Sequence, residues 1–131
     1  MKLVEIFDSI DGEGIRAGEL TTFVRFAGCN LRCTYCDTDY AQTLHQAKDV
    51  SPETILEKIR EIGNHNITIT GGEPLLQKAL PALLDRLTDY HVNIETNGSQ
   101  NIVPFQRENT LITMDYKCPS SGEEHKMLLD N

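Results

Sequence analysis

The chain has 131 residues, the size of a single domain, and 39% of them are hydrophobic, as in soluble globular proteins. Its formal charge of −8 at pH 7 disfavours nucleic acid and anionic membrane surfaces as partners, because both require a basic protein surface. No apolar run approaches the roughly 20 residues that span a bilayer, and Glu5 interrupts any signal-peptide core. We therefore expect a cytoplasmic protein without nucleic-acid or membrane partners.

The amino-terminal half combines strand-like runs with a long polar loop. Segments rich in Val, Ile, Phe and Thr predict strands at residues 3–7 and 21–26, joined by a glycine-rich loop. The polar stretch from 27 to about 50 has no clear period, and loops of that length in a compact domain are usually functional. Ser51 and Pro52 then begin a predicted helix whose apolar residues recur up to Ile62, and Gly63 ends it.

The second half continues the alternation of strands and helices. Residues 66–70 alternate Ile with Thr, which predicts a strand, and a stripe of leucines from Leu76 to Leu87 predicts a second helix. Residues 92–96 and 111–116 predict further strands, whereas 101–108 are ambiguous. Strands separated by helices pair in parallel through right-handed crossovers. We therefore expect an α/β fold with its unusual residues at the carboxyl ends of the strands.

Residues 123–131 have the pattern of the first turns of another amphipathic helix. In an α/β fold such a helix leads to a further strand. We therefore expect residues 1–131 to form the amino-terminal part of a longer chain. The alternative is an unusually compact natural version of the fold.

Three of the four cysteines, Cys29, Cys33 and Cys36, follow a C-x3-C-x2-C spacing in the long loop. Three thiolates at this spacing can ligate three irons of a 4Fe-4S cluster, which leaves the fourth iron without a protein ligand. An open iron on a redox cluster can chelate a small molecule and pass an electron to it. The alternatives are a structural zinc site, closed by His45 or Cys118, and a set of unrelated buried cysteines.

Two motifs resemble the signatures of the radical S-adenosylmethionine (SAM) superfamily. The cysteine loop carries an aromatic residue, Tyr35, before its third cysteine, and Gly71-Gly72-Glu73-Pro74 follows a predicted strand. The resemblance implies a partial (β/α) barrel of the radical SAM type, truncated at its carboxyl end, over residues 1–131. It also implies a 4Fe-4S cluster on the three cysteines, with SAM chelated by the open iron and its amino group held by the backbone of the second motif.

Longer matches resemble the 7-carboxy-7-deazaguanine synthase family of the queuosine pathway. They fall at residues 5–7, 9–14, 23–33, 36–38, 69–74, 95–98 and 117–121. This resemblance implies conversion of 6-carboxy-5,6,7,8-tetrahydropterin to 7-carboxy-7-deazaguanine with loss of ammonia, started by a 5′-deoxyadenosyl radical that removes the C6 hydrogen. It further implies Mg2+, a reductant such as flavodoxin or ferredoxin, and a homodimer.

The family resemblance also assigns roles to individual residues. Thr38 matches the hydroxyl that ligates Mg2+, a hard cation that prefers oxygen donors. The positions that match pterin contacts are Ile10, Asp11, Gly12, Glu13, Arg25 and Thr70. The guanidinium of Arg25 would be the counter-charge to the pterin carboxylate. The positions that match SAM contacts are Tyr35, Cys36, Asp37, Gly72, Asp115, Tyr116 and Lys117.

The chain departs from the family in two respects. Asp11 stands where the family usually has Gln, and a carboxylate there accepts hydrogen bonds but does not donate them. Full members also extend well past residue 131, and their later strands supply further contacts.

Two other functions compete with this interpretation. An activating enzyme for a glycyl-radical protein would share the cysteine loop, but the segment 9–14 and the Asp37-Thr38 pair disfavour it. A zinc-stabilised binding module would need four closed ligands and has no use for Gly71-Gly72-Glu73-Pro74.

Overall fold

A computed structural model describes all residues, 1–131, as six strands and two helices joined by loops and short 3-10 turns. In chain order the elements are β1 (Lys2–Ile10), β2 (Leu20–Phe26), β3 (Lys48–Asp49), α1 (Pro52–Ile62), β4 (Asn66–Gly71), α2 (Leu80–Leu84), β5 (His91–Thr96) and β6 (Thr110–Met114). None of the helices has the length and apolar character needed to cross a lipid bilayer.

The six strands form one sheet in the order β3-β1-β2-β4-β5-β6. Strand β1 pairs antiparallel with β2 and β3, whereas β2, β4, β5 and β6 are parallel neighbours. The sheet is open at both edges, so the α/β prediction and the partial barrel are confirmed. Parallel pairing places the carboxyl ends of four strands at one edge, where the loops that follow them meet.

The central strands separate apolar from polar side chains by simple alternation, because successive side chains of a strand point to opposite faces. On one face, Val24, Ile69 and Ile94 are fully buried against the two helices. The helices contribute their own buried residues to this core, including Ile59 of α1 and Leu83 of α2. The apolar residues therefore seal one side of the sheet, and the other side is left for polar residues.

The opposite face of the same strands carries buried polar side chains that hydrogen-bond across the sheet. The hydroxyls of Thr21 and Thr68 lie 3.0 Å apart on neighbouring strands. The hydroxyl of Thr113 donates to Oδ1 of Asn93 over 2.8 Å. These bonds satisfy groups that would otherwise be costly to bury. The polar face of the sheet is consequently the floor on which a site can be built.

Helix α1 forms as the sequence predicts. The hydroxyl of Ser51 accepts a hydrogen bond from the backbone N–H of Thr54 over 3.2 Å, which caps the helix, and Pro52 occupies the first turn. The helix ends at Ile62, before Gly63 in the left-handed conformation.

The second predicted helix is much shorter than the leucine stripe indicates. Leu76 belongs to a 3-10 turn (Pro74–Leu76) and is partly exposed, and α2 contains only Leu80–Leu84. Pro81 explains the late start of α2, because proline lacks a backbone N–H and fits only the first turn of a helix. Leu87 is nevertheless fully buried, in the turn that follows α2.

Three further segments can be compared with the sequence-based predictions. Residues 123–131 form a single 3-10 turn (Glu124–Lys126) instead of the start of an amphipathic helix. The ambiguous segment 101–108 holds a 3-10 turn (Val103–Phe105), so β5 and β6 are joined without an α-helix. The long polar loop is confirmed, although it contains a 3-10 turn (Asp39–Ala41) and the two-residue strand β3.

Candidate active site

An open cleft of about 420 Å³ lies at the carboxyl ends of β2, β4, β5 and β6. The loop after β2 brings all three clustered cysteines to it, and β4 brings Gly71 and Gly72. The other contributions come from the loop after β1, from side chains of β2 and β4, and from residues near the ends of β5 and β6. Ligand sites in parallel sheets are expected at this edge, outside the carboxyl ends of the strands.

The cysteine loop is held in shape from inside and outside. One terminal nitrogen of Arg32 donates to the carbonyl oxygens of Cys29 (2.8 Å) and Leu31 (2.6 Å), which closes the first turn of the loop. On the outer side, Thr34 donates through its backbone N–H to Ser121 O and through its hydroxyl to Ser120 O. The carboxylate of Glu123 accepts from the Arg32 backbone N–H over 2.7 Å. A segment late in the chain thus supports the loop.

The three cysteine thiols are free, half-buried and directed to the same cleft. Burial raises the pKa of Cys29 and of Cys33 above the ordinary thiol value. No three His, Cys, Asp or Glu side chains converge closely enough to hold a single metal ion. Three thiolates are the ligands that a 4Fe-4S cluster with one open iron requires, whereas a structural zinc site needs four closed ligands.

The fourth cysteine lies outside this arrangement. Cys118 is exposed, is absent from the cleft lining, and has only a weak sulfur contact to the Tyr116 carbonyl. His45 is also exposed and does not line the cleft. Neither residue offers a fourth ligand that would close a zinc site over the three clustered cysteines.

The Gly71-Gly72-Glu73-Pro74 loop is bonded directly to the residues that precede Cys29. The Gly72 N–H donates to Phe26 O over 3.0 Å, and the Glu73 N–H donates to Gly28 O over 2.8 Å. A Cβ on Gly72 would lie only 2.5 Å from Gly28 O, so no other residue type fits without moving the cysteine loop. The absence of a side chain at Gly72 therefore has a structural cause within the chain, alongside the predicted approach of SAM.

Glu73 does not face the cleft but is fully buried beneath it. Its carboxylate accepts hydrogen bonds from the Leu75 N–H (2.9 Å), the Thr96 hydroxyl (2.9 Å) and the Asn97 N–H (2.8 Å). Burial raises the pKa of Glu73, and these hydrogen bonds oppose the rise. The side chain therefore ties the loop after β4 to the end of β5.

Arg25 reaches the cleft from the polar face of β2. Its Nε donates to Glu5 over 2.8 Å, and the hydroxyl of Tyr40 donates to the same carboxylate oxygen over 3.0 Å. The guanidinium also lies over the rings of Phe7 and Tyr40, at 5.8 and 5.9 Å from their centroids. Because Nε is the atom that binds Glu5, the terminal nitrogens remain available for an anionic group in the cleft.

The opposite wall of the cleft is formed after β6. Lys117 pairs with Asp115, and its ammonium lies 5.7 Å from the centroid of the Tyr35 ring. Burial alone would lower the pKa of Lys117, but the hydrogen bond and the negative charge of Asp115 outweigh it, so the pKa is raised. Lys117 is therefore a fixed positive charge beside the cysteine loop.

Residues 23–108 match the model of the Radical SAM superfamily. That range contains both the three-cysteine loop and the Gly71-Gly72-Glu73-Pro74 loop and covers well over half of the chain. The chain belongs to the radical SAM superfamily.

Named relatives within the superfamily point to one kind of enzyme. The chain is 46% identical to the 7-carboxy-7-deazaguanine synthase of Clostridium acetobutylicum, over 99% of this chain and 62% of that protein. It is 45% identical to the synthase of Methanospirillum hungatei, over 94% of this chain and 53% of that one. The chain thus spans little more than half the length of the curated relatives it matches.

A solved structure agrees with these sequence relatives. The crystal structure of QueE from Escherichia coli superposes with a TM-score of 0.73 at 29% sequence identity, covering 89% of this chain and 60% of that chain. The radical SAM fold and the resemblance to 7-carboxy-7-deazaguanine synthases are therefore confirmed. Membership of this superfamily disfavours the zinc-module interpretation.

Most of the predicted site residues lie together in the cleft. They are Gly12, Glu13, Arg25, Cys29, Cys33, Tyr35, Cys36, Asp37, Thr38, Thr70, Gly72, Asp115 and Lys117. Their roles toward SAM, pterin or magnesium stay predictions. The hydroxyl of Thr38 donates to Asp37 over 2.8 Å, so two oxygen donors of the kind that Mg2+ prefers are adjacent in the cleft wall.

Three predicted residues do not line the cleft. Ile10 and Tyr116 are more than half exposed and point elsewhere. Asp11 is almost completely buried, and its carboxylate accepts from the Thr68 hydroxyl (2.7 Å) and the Glu13 N–H (3.0 Å). Asp11 therefore fixes the glycine-rich loop onto the polar face of the sheet, and its neighbours Gly12 and Glu13 are the residues that reach the cleft.

The residue-by-residue prediction misses several members of the cleft. They are Phe23, Leu31, Gln42, Gly71, Glu95, Thr96, Asn97 and Thr113. Glu95, Thr96 and Asn97 stand at the end of a predicted parallel strand, so the general rule for strand ends could have found them. Phe23 and Thr113 follow from the alternation of their strands, which places them on the polar face.

Glu95 is the missed residue with the clearest chemical consequence. Burial raises its pKa above the ordinary glutamate value, and the nearby carboxylates of Glu13 and Asp11 raise it further. A carboxylate in the cleft accepts hydrogen bonds from N–H groups of a bound ligand. Burial and like charges disfavour the charged form of Glu95, so this carboxylate lowers the stability of the folded protein.

Replacing Glu73 with Gln is expected to destabilise the protein by about 1 to 3 kcal/mol. The amide offers one acceptor oxygen, so its NH2 group must face a donor, either the Asn97 N–H or the Leu75 N–H and Thr96 hydroxyl. Urea unfolding measures the change. The exposed Glu61, which pairs with Lys58, provides the control, because Glu61→Gln should alter stability by less than about 0.5 kcal/mol. Equal stabilities of Glu73→Gln and wild type would contradict the conclusion that the Glu73 carboxylate stabilises the link between the loop after β4 and the end of β5.

The raised pKa of Glu95 gives a pH dependence of defined sign. Between the ordinary glutamate pKa and the raised value, the folded protein keeps a proton that the unfolded chain has lost, so the free energy of unfolding falls as pH rises. Glu95→Gln removes this contribution. Relative to wild type, the variant should therefore gain stability as the pH rises above the ordinary glutamate pKa of about 4, as measured by urea unfolding. A constant difference over that range would show that Glu95 titrates alike in both states.

Proposed function

We propose that this chain forms the SAM-cleaving and pterin-binding part of a 7-carboxy-7-deazaguanine synthase. The observation that carries the proposal is one cleft lined by the three cysteine thiols, the Gly71-Gly72 strand end and Arg25. Relatives named for this activity align with almost the whole chain, which supports the same assignment. The substrate would be 6-carboxy-5,6,7,8-tetrahydropterin and the product 7-carboxy-7-deazaguanine.

Cys29, Cys33 and Cys36 would hold a 4Fe-4S cluster and leave one iron free for SAM. When bound, this pair of cofactors supplies the electron and the 5′-deoxyadenosyl radical that removes a hydrogen from the substrate. The chain keeps the ligands in place through Arg32 on the inside and the segment 120–123 on the outside. The exposed edge of the loop, at Tyr35, is where a reductant such as flavodoxin or ferredoxin would approach.

The pterin would lie on the polar face of the sheet, deeper in the cleft than the cysteine loop. Arg25 supplies a positive charge for the substrate carboxylate, and Glu5 fixes the direction of its guanidinium. Thr70, Glu13 and Glu95 line the same cavity and offer a hydroxyl and two carboxylates to ring N–H groups. Rigid placement of this kind contributes to catalysis by holding the reacting atom near the radical source.

Mg2+ belongs to the proposal as well, with Thr38 as its protein ligand and the pterin as the other partner. The adjacent Asp37 carboxylate accepts a hydrogen bond from the Thr38 hydroxyl and would compensate the charge of a bound cation. A homodimer in the cytoplasm is the expected form of the enzyme.

The direct test is anaerobic incubation of the reconstituted protein with SAM, Mg2+, a reductant and the carboxypterin. The expected result is 7-carboxy-7-deazaguanine, measured by chromatography and mass spectrometry. Arg25→Lys keeps the charge but loses the planar pair of donors, so its KM for the pterin should rise at least about tenfold. A loaded cluster that cleaves SAM without ever forming the deazaguanine would contradict the assigned substrate and favour the activating-enzyme alternative.

The cysteine assignment has its own test in iron and sulfide analysis. Cys29→Ala, Cys33→Ala and Cys36→Ala should each lose the intact cluster and all SAM cleavage, because each removes one of three ligands. Cys118→Ala is the matched control and should retain both, since Cys118 lies outside the cleft. Stoichiometric zinc without iron in the wild-type protein, or a full cluster in all four variants, would overturn the assignment.

A further inference from the structure

We propose that Asn97 tunes the reduction potential of the cluster by donating an N–H···S hydrogen bond to its ligand Cys29. This inference rests on the proposed function, since it requires the cluster to sit on the three cysteines. Asn97 is not a predicted site residue, and it lies at the end of β5, far from the cysteines in sequence. In the folded chain its side-chain nitrogen is 3.7 Å from the Cys29 sulfur.

The orientation of the Asn97 amide follows from its surroundings. Its oxygen accepts from the Ser99 N–H over 3.0 Å and from the Ser99 hydroxyl over 2.6 Å. A backbone N–H can only donate, so the oxygen of the amide must face Ser99. The NH2 group then faces the opposite way, toward Cys29 and toward Oδ1 of Asn30 at 3.3 Å.

A closed ring of hydrogen bonds keeps this orientation. The amide nitrogen of Asn30 donates to the Ser99 hydroxyl over 2.8 Å, while the oxygen of Asn30 accepts from Asn97. Asn97 and Ser99 are both buried, whereas Asn30 is exposed at the outer side of the ring. Every donor and acceptor of the Asn97 amide is thereby used, and one of its two hydrogens is committed to sulfur.

The backbone of Asn97 is fixed as well. Its N–H donates to the buried carboxylate of Glu73 over 2.8 Å. Glu73 belongs to the Gly71-Gly72-Glu73-Pro74 loop, whose backbone is bonded to the residue before Cys29. The second motif thus places both the cysteine loop and the group that donates to its first sulfur.

The physical effect of such a donor is a change of potential. Reduction adds negative charge to the cluster and its thiolates, and a partial positive charge on a nearby N–H stabilises that charge. Hydrogen bonds to the sulfurs are among the factors that set the potential of iron–sulfur clusters. A second donor, the Leu31 backbone N–H at 3.4 Å from the Cys29 sulfur, acts in the same direction but cannot be removed by changing a side chain. Of the two donors to the Cys29 sulfur, Asn97 is therefore the one whose effect on the potential can be changed by substitution.

The test is a redox titration of the reconstituted protein without SAM, followed by electron paramagnetic resonance of the reduced cluster. Asn97→Leu removes the donor at similar volume and should shift the midpoint potential to a more negative value. Asn97→Asp keeps an oxygen for Ser99, replaces the donor by a second oxygen and should shift the potential further in the same direction. Asn101→Leu, the same substitution at an exposed position two residues from the ring, should match wild type.

The outcomes separate this inference from the proposed function. Failure of the wild-type protein to take up iron would count against the cluster assignment itself. Wild-type potentials in Asn97→Leu and Asn97→Asp, both with full iron and sulfide content, would overturn the tuning role alone. Loss of the cluster from both variants would also overturn it, because Asn97 would then be needed to hold the loop instead of to set the potential.

Discussion

The separation of apolar and polar side chains across the parallel strands is the constraint on which the rest of the structure depends. Val24, Ile69 and Ile94 close one face of the sheet against the helices, so Arg25, Thr70 and Glu95, each one residue further along its strand, must project from the other. The same alternation therefore produces the core and the floor of the cleft. A shift of register by one residue would exchange them and destroy both.

The two superfamily motifs are parts of one hydrogen-bonded unit. Glu73 reaches through the interior to Thr96 and Asn97, and the backbone on either side of Gly72 is joined to Phe26 and Gly28. The loops after β2, β4 and β5 are consequently positioned relative to one another before any ligand binds. A radical reaction needs such preorganisation, because a radical that is not held in place can remove a hydrogen from the wrong atom.

The sequence predicts the strands and helices that depend on local residue patterns. It does not predict features that depend on contacts between residues far apart in the chain. Alternation of Ile with Thr marks β4 correctly, and the Ser51 cap marks α1. The leucine stripe overstates α2, because Pro81 fits only the first turn of a helix and so prevents α2 from beginning at Leu76. In the site, spacing reveals the three cysteines, but the buried position of Asp11 and the contact of Asn97 with Cys29 arise only when strands from different parts of the chain are brought together.

The outer support of the cysteine loop bears on how the protein is made. The contacts from Thr34 to Ser120 and from Arg32 to Glu123 join positions 86 and 91 residues apart. During synthesis the amino-terminal thiols therefore leave the ribosome long before the residues that clasp them. The outer contacts of the cysteine loop can therefore form only after residues 120–123 have been made, so a chain that stopped before them would have the three cysteines without this half of their support.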